Sequence, residues 1–111
     1  MGDGFLHLVE ESKALNSSVF SLIRLQLLSN LAGIHPEFVT FRELKALLGV
    51  TDGALYSNLK VLEKMSYVEC RQVRLEGKQL ESFRIASEGL AEWQKVASWL
   101  ERLAKVGGNG K

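Results

Sequence analysis

Several kinds of protein are excluded by what this 111-residue chain has little of. It carries one cysteine, Cys70, so no internal disulfide framework can form and a reducing compartment is the natural reading. Cys70 itself reads as a small buried strand residue, with a redox switch as the rarer use of such a thiol. Its two histidines, His7 and His35, lie far apart, and neither stands at ligand spacing from Cys70, so no metal centre is expected. No apolar run approaches the roughly 20 residues a membrane span needs, and Asp3 and His7 interrupt the N-terminus where a signal peptide would be apolar. The expectation is a soluble cytoplasmic protein. Glycine-rich phosphate loops, paired-acid motifs and nucleophile elbows are missing as well, so the chain reads as no enzyme and asks for no cofactor.

A surplus of one charge is also lacking. Fourteen basic residues face thirteen acidic ones, for a net charge of +1. Residues 1–50 hold four basic and five acidic groups, and residues 51–111 hold ten and eight. Composition alone therefore does not point to nucleic acid. Any surface that faces phosphates must be local, or doubled by dimerisation.

What the chain does have is apolar content, 46% of its residues, enough for one unstapled domain over residues 1–106. A first helix is expected from Phe5 to Leu15, with Phe5, Leu8, Val9 and Ser12 on one side, followed by turn and cap residues Asn16-Ser17-Ser18. Val19 to Leu31 is apolar almost all round, which marks the central helix of the core. The single proline, Pro36, sits in the loop that ends it. Phe38-Val39-Thr40 then predicts a small strand able to pair with a later hairpin.

The helix that follows, from Phe41 or Arg42 to Leu48, turns Leu44, Leu47 and Leu48 inward. Gly49 ends it in the left-handed conformation, Val50 is a buried hinge, and Thr51 caps the next helix. Two short helices joined this way, over residues 41–65, form a helix-turn-helix. At about 100° per residue, Leu55, Leu59 and Leu62 cluster inward. Gly53, Ser57, Lys60 and Lys64 lie opposite, flanked by Ala54, Tyr56 and Val61. Small residues admit a groove floor, lysines reach phosphates, and Tyr56, Ser57 and Asn58 supply hydrogen bonds. Thr51 and the helix N-terminus can hold a phosphate oxygen.

Behind it, Tyr67 to Arg71 and Ser82 to Ile85 predict two strands, with a turn at Glu76-Gly77-Lys78-Gln79. Arg71, Arg74, Lys78 and Arg84 make this hairpin, residues 67–85, a basic wing for the DNA backbone or minor groove. A final helix over residues 87–105 carries the stripe Leu90, Trp93, Val96, Ala97, Leu100, Leu103 and Ala104, with Trp99 off it. That exceeds the needs of a small core. Leu8, Trp93, Val96, Trp99, Leu100 and Leu103 are therefore assigned to packing of the terminal helices and to a two-fold contact with a second copy. Residues 107–111 read as a flexible tail. The fold class is mainly α with a small β-hairpin (α+β), a winged helix-turn-helix with extra N- and C-terminal helices.

Leu48 to Val68 (LGVTDGALYSNLKVLEKMSYV) resembles the recognition unit of small MarR/ArsR-type winged-helix transcriptional regulators, above all their compact, often archaeal group. Ile23 to Leu31 is similar to that family's R-x-x-I-L-x-x-L helix, and Phe83 to Leu90 to its Y-x-L-T-x-x-G wing exit. The resemblance covers roughly residues 19–91. It implies a homodimer on double-stranded DNA, with Thr51, Tyr56, Ser57, Asn58 and Lys60 facing the groove and Arg74 and Lys78 on the wing. The chain departs from the pattern at Ala54, where a polar residue is usual, and at Ser66, where glycine is usual after the recognition helix. Ala86 stands in place of a capping threonine.

The expected function is that of a dimeric sequence-specific DNA-binding regulator, a repressor that occludes a promoter. A protein-interaction module without DNA binding is the alternative, favoured by the near-neutral charge and by Ala54. A small apolar effector near Trp93 or Trp99 is a third reading.

Overall fold

Leu55, Leu59 and Leu62 recur at helical spacing and are all withdrawn from solvent, none more than 1% exposed. In the computed structural model, which describes residues 2–108, they line the inner side of one of five α-helices. The order is α1 (Gly2–Ser12), a 3-10 turn (Ser17–Val19), α2 (Leu22–Gly33), β1 (Val39–Thr40), α3 (Phe41–Leu48), α4 (Asp52–Lys64), β2 (Val68–Leu75), β3 (Lys78–Ile85) and α5 (Ser87–Gly108). The α+β class and the winged helix-turn-helix are as expected. No helix among the described residues is long and apolar enough to cross a membrane.

The N-terminal third departs from the expected pattern. The first helix stops at Ser12, and Lys13, Ala14 and Leu15 close with i→i−3 backbone bonds that tighten its end. The central helix begins at Leu22, three residues later than expected. Asn16 Oδ1 accepts from Ser18 N and holds the 3-10 turn, Phe20 takes a non-helical conformation, and Ser21 Oγ caps α2 by accepting from Arg24 N. Leu27, Leu28 and Leu31 on α2 are completely buried, whereas Leu22 is 73% exposed. Of the residues expected as a C-terminal tail, Gly107 and Gly108 belong to α5, and 109–111 lie outside the described residues.

Around the helix-turn-helix the local chemistry is as read. Thr40 and Glu43 form a reciprocal capping box at the start of α3, and hydrogen bonds from Thr40 hold the Glu43 carboxyl below its ordinary range. Gly49 closes α3 with φ of 65°. Leu44 is buried, but Leu47 is exposed, a correction to its expected inward position, and Val50 is half-buried. The sheet has the order β1-β3-β2, with Val39 opposite Phe83 and Cys70 opposite Phe83 on the other side. The wing strands run to the tip, longer than predicted, and turn over Glu76 and Gly77, both with positive φ. Such a two-residue turn matches the twist of the strands it joins.

The exit from α4 is a tight joint. Ser66 N–H donates to the Glu63 carbonyl and Tyr67 N–H to the Leu62 carbonyl, with Ser66 at φ of 63°. This is a Schellman closure with serine in the position glycine fills at no steric cost. The Tyr67 carbonyl then accepts from Ala86 N at 2.8 Å, and it sits so close to Gly89 that a Cβ there would collide with it. Urea unfolding is expected to show Ser66→Gly more stable by about 1 kcal/mol. Gly89→Ala should lose about 1–3 kcal/mol through overpacking. Equal stability of the two variants would contradict this joint.

Candidate nucleic-acid interface

Thr51 Oγ1 accepts from Ala54 N at 3.1 Å and caps α4, leaving its own O–H free to donate outward. The first turn carries Asp52, which pairs with Lys45 of α3 at 2.8 Å. Gly53, Tyr56, Ser57 and Lys64 are exposed along the outer face, with Ala54 and Lys60 half-buried beside them. Ser57 Oγ donates to the Ala54 carbonyl at 3.3 Å. Between α4 and the wing lies an open groove of about 540 Å³, lined by Phe41, Asp52, Gly53, Tyr56, Leu80 and Glu81 among others.

Lys60 is less free than its spacing implied. Its amine lies 5.1 Å from the Tyr56 ring centroid and 3.1 Å from Glu63 Oε1. That hydrogen bond to Glu63, reinforced by the carboxylate's charge, raises the amine above the ordinary lysine range. Glu63 was missed as a site residue, although its spacing of three from Lys60 on a helix is legible. Among the described residues Arg42, Lys64, Arg74 and Lys78 take part in no ion pair. At the wing tip Arg74 Nη1 donates to the Gly77 carbonyl at 3.3 Å. Arg74 is opposite Gln79 and Lys78 opposite Leu75, so the strand alternation sends Arg74 and Lys78 to opposite faces of the ribbon.

Asn58 requires a correction. Its Nδ2 donates to the Ala54 carbonyl at 2.7 Å, and its Oδ1 accepts from Arg24 Nη1 of α2 at 2.8 Å. Both ends of the amide are engaged, because position 58 lies on the flank of α4 that packs on α2. Asn58 is a strut between helices and not a groove-facing group. Two other wing cations are engaged on the face of the sheet away from the core: the Arg71 and Arg84 guanidiniums lie 3.8 Å and 4.7 Å from the Phe38 ring centroid, and Arg84 pairs with Glu69 at 2.8 Å.

The terminal helices depart further from expectation. Leu8 is 4% exposed and Val96 fully buried, so both are consumed by packing within the protomer and cannot meet a second copy. Trp93 and Leu100 pack on the core. Trp99 is anchored internally too, its Nε1 donating to the Leu8 carbonyl at 2.8 Å and its ring edge-on to Phe20. Leu103 remains half-buried. The apolar side chains that α1 leaves outside are Phe5, Leu6 and Val9. An open groove of about 710 Å³ runs between α1 and α5, lined by Leu15, Lys95, Trp99 and Arg102 among others, while Trp93 is not on it.

With this geometry in place, the chain can be set beside known proteins. Residues 23–104 match the family model of the winged helix DNA-binding domain, and the chain belongs to that family. An uncharacterized protein of Methanocaldococcus jannaschii is 29% identical over 85 residues, 77% of this chain and 90% of that protein. The fold is also that of a transcriptional regulator homologue from Pyrococcus horikoshii OT3, with a TM-score of 0.74, 19% identity, and 98% and 99% of the two chains covered. A mutant MarR from E. coli superposes with a TM-score of 0.67 at 17% identity, covering all of this chain and 85% of its own. The family is that of the winged helix DNA-binding domain, and its fold is shared with these regulator structures.

Cys70 lies on β2 with its Sγ 3.9 Å from Glu81 Oε2. Burial, then the charges of Glu81 and Glu63, push its thiol up from the ordinary value. Since the thiolate is the reactive form, alkylation of the folded protein at pH 7 should be slower than that of free cysteine. Its rate should rise only at a pH above the ordinary thiol range of about 8.5. Fast alkylation at neutral pH would contradict this environment.

Proposed function

We propose that this chain is a homodimeric, sequence-specific DNA-binding transcriptional regulator that sets α4 in the major groove and the wing tip on the backbone or minor groove. One observation carries the reading: Gly53, Tyr56, Ser57 and Lys64 lie open along α4 beside the wing, while its other sides are packed. Apart from the backbone of α4 itself and the adjoining residues, no described residue comes within 4 Å of where a Cβ at Gly53 would sit, so the missing side chain leaves room for an outside surface. Tyr56, Ser57 and Ala54 meet base edges, and Thr51, Lys64, Arg74 and Lys78 meet phosphates. Lys60 joins them by exchanging Glu63 for a phosphate. A second copy docks through Phe5, Leu6 and Val9 of α1 with Leu103 of α5, and places the two recognition helices at half-sites about one helical turn apart. Bound in this way the dimer covers its site and acts as a repressor. A small apolar effector would seat in the groove beside Trp99.

Fluorescence anisotropy with random-sequence duplex at two salt concentrations tests the reading. Salt-sensitive binding is expected, with Lys60→Ala weakening it on every sequence and lowering the salt slope by about one unit. Glu63→Gln should tighten binding, because it releases Lys60. Substitution of Tyr56 or Ser57 should instead change the preference among sites. Leu6→Glu should give a monomer in sedimentation velocity with weaker operator binding. Absence of binding at low salt would contradict the proposal and favour a protein-docking role for the same face.

A further inference from the structure

The residues between α1 and α2 are tied to three other elements by polar contacts. Asn16 N–H donates to Glu92 Oε2 of α5 at 2.8 Å. Glu92 is only 6% exposed, and its other oxygen pairs with Lys95 at 3.2 Å. The Asn16 side chain turns the opposite way: its Nδ2 lies 3.1 Å from both Met65 Sδ and Tyr67 Oη, at the end of α4 and the start of the wing. Two residues on, the Ser18 carbonyl accepts from Arg24 Nε at 2.6 Å, and the same guanidinium reaches Asn58 Oδ1 in the middle of α4. Residues 16–18 thus touch α5 and the end of α4 directly, and the middle of α4 through Arg24.

We infer that this segment couples the position of the α1–α5 pair to the seating of α4, with Asn16, Arg24 and Glu92 as positioning residues for DNA binding. The inference rests on α4 being the DNA-reading helix. Apolar helix contacts tolerate small slides, whereas hydrogen bonds near 3 Å weaken steeply when their partners shift or turn. A carboxylate is also rarely withdrawn from water unless it is paired and hydrogen-bonded, because an unpartnered buried charge is strongly unfavourable. Tyr67 is gripped at both ends, its hydroxyl by Asn16 and its carbonyl by Ala86 N–H. The α1–α5 groove reaches this joint through Leu15, and a smaller groove reaches it through Leu15, Ser17 and Trp99. Occupation of either groove, or a second copy pulling on α1, would therefore be felt at both the middle and the end of α4.

The test uses the full chain and compares Asn16→Ala, Glu92→Gln and Val19→Ala by DNA affinity, thermal stability and amide hydrogen exchange. The Val19 side chain is fully buried and makes none of these polar contacts, so its truncation reports packing stability alone. Asn16→Ala is expected to raise the DNA Kd about 3- to 30-fold, the range of measured long-range couplings, and to speed exchange at Met65, Ser66 and Tyr67. Val19→Ala should leave Kd within about twofold, as independent sites do. Glu92→Gln keeps an acceptor for Asn16 N–H and should fall between the two. With Tyr67→Phe, Asn16→Ala should be non-additive in DNA affinity. Equal effects of Asn16→Ala and Val19→Ala on Kd at equal loss of stability would overturn the inference, as would an unchanged Kd in Asn16→Ala. If the parent fails to bind DNA, the functional proposal fails by itself. The coupling is then read from exchange alone: faster α4 amides in Asn16→Ala and Glu92→Gln uphold it, and parent-like amides overturn it.

Discussion

The burial of Leu55, Leu59 and Leu62 under α4 is the contact on which the rest depends. Each fully buried leucine contributes roughly 1.5–3 kcal/mol relative to exposure, and the three together fix which side of the helix faces out. Leu44 from α3, Leu27, Leu28 and Leu31 from α2, and Phe83 and Ile85 from β3 complete the same cluster. With that side committed, Gly53, Tyr56, Ser57 and Lys64 have nowhere to go but outward. The Thr51 cap and the closure through Ser66 and Tyr67 then define where α4 starts and where it hands over to the wing.

Electrostatics tempers this surface. Lys45, Lys60 and Arg84 each hold a carboxylate partner, Asp52, Glu63 and Glu69 respectively. Exposed pairs of this kind stabilise the fold by little, commonly below about 1 kcal/mol, so they can be exchanged for phosphates. In the proposed role, the pairing of Lys45 and Lys60 lowers non-specific attraction to DNA and leaves these two cations able to exchange partners on contact, in keeping with a net charge of +1.

Most of the helix-turn-helix was legible because its signals are local. Leucine spacing, Gly49 and Thr51 act within a few residues of themselves, and the pairing of Val39-Thr40 with the hairpin followed from β-propensity and position. The outer halves of the wing strands are not legible because residues 72–75 and 78–81 are mostly polar. They form a ribbon held by cross-strand pairing, with no burial pattern to betray it. The break before α2 was hidden because Val19 and Phe20 continue the apolar pattern, and the Asn16 and Ser21 side chains that interrupt it act through geometry. Asn58 looked groove-facing by residue type; its partner Arg24 is 34 residues away and no local spacing reveals it. The apolar periodicity of Leu8 and Val96 does not distinguish packing within a protomer from packing between two.

The most direct test of the account is amide chemical-shift mapping of the isotope-labelled protein titrated with a short duplex. If α4 and the wing read DNA, the largest shifts will fall at Gly53, Tyr56, Ser57, Lys60 and Lys64 and at the wing tip around Gly77 and Lys78, with Phe5, Leu6 and Val9 little changed. Shifts confined to the α1–α5 pair or to the Phe38, Arg71 and Arg84 face of the sheet, with α4 silent, would contradict it.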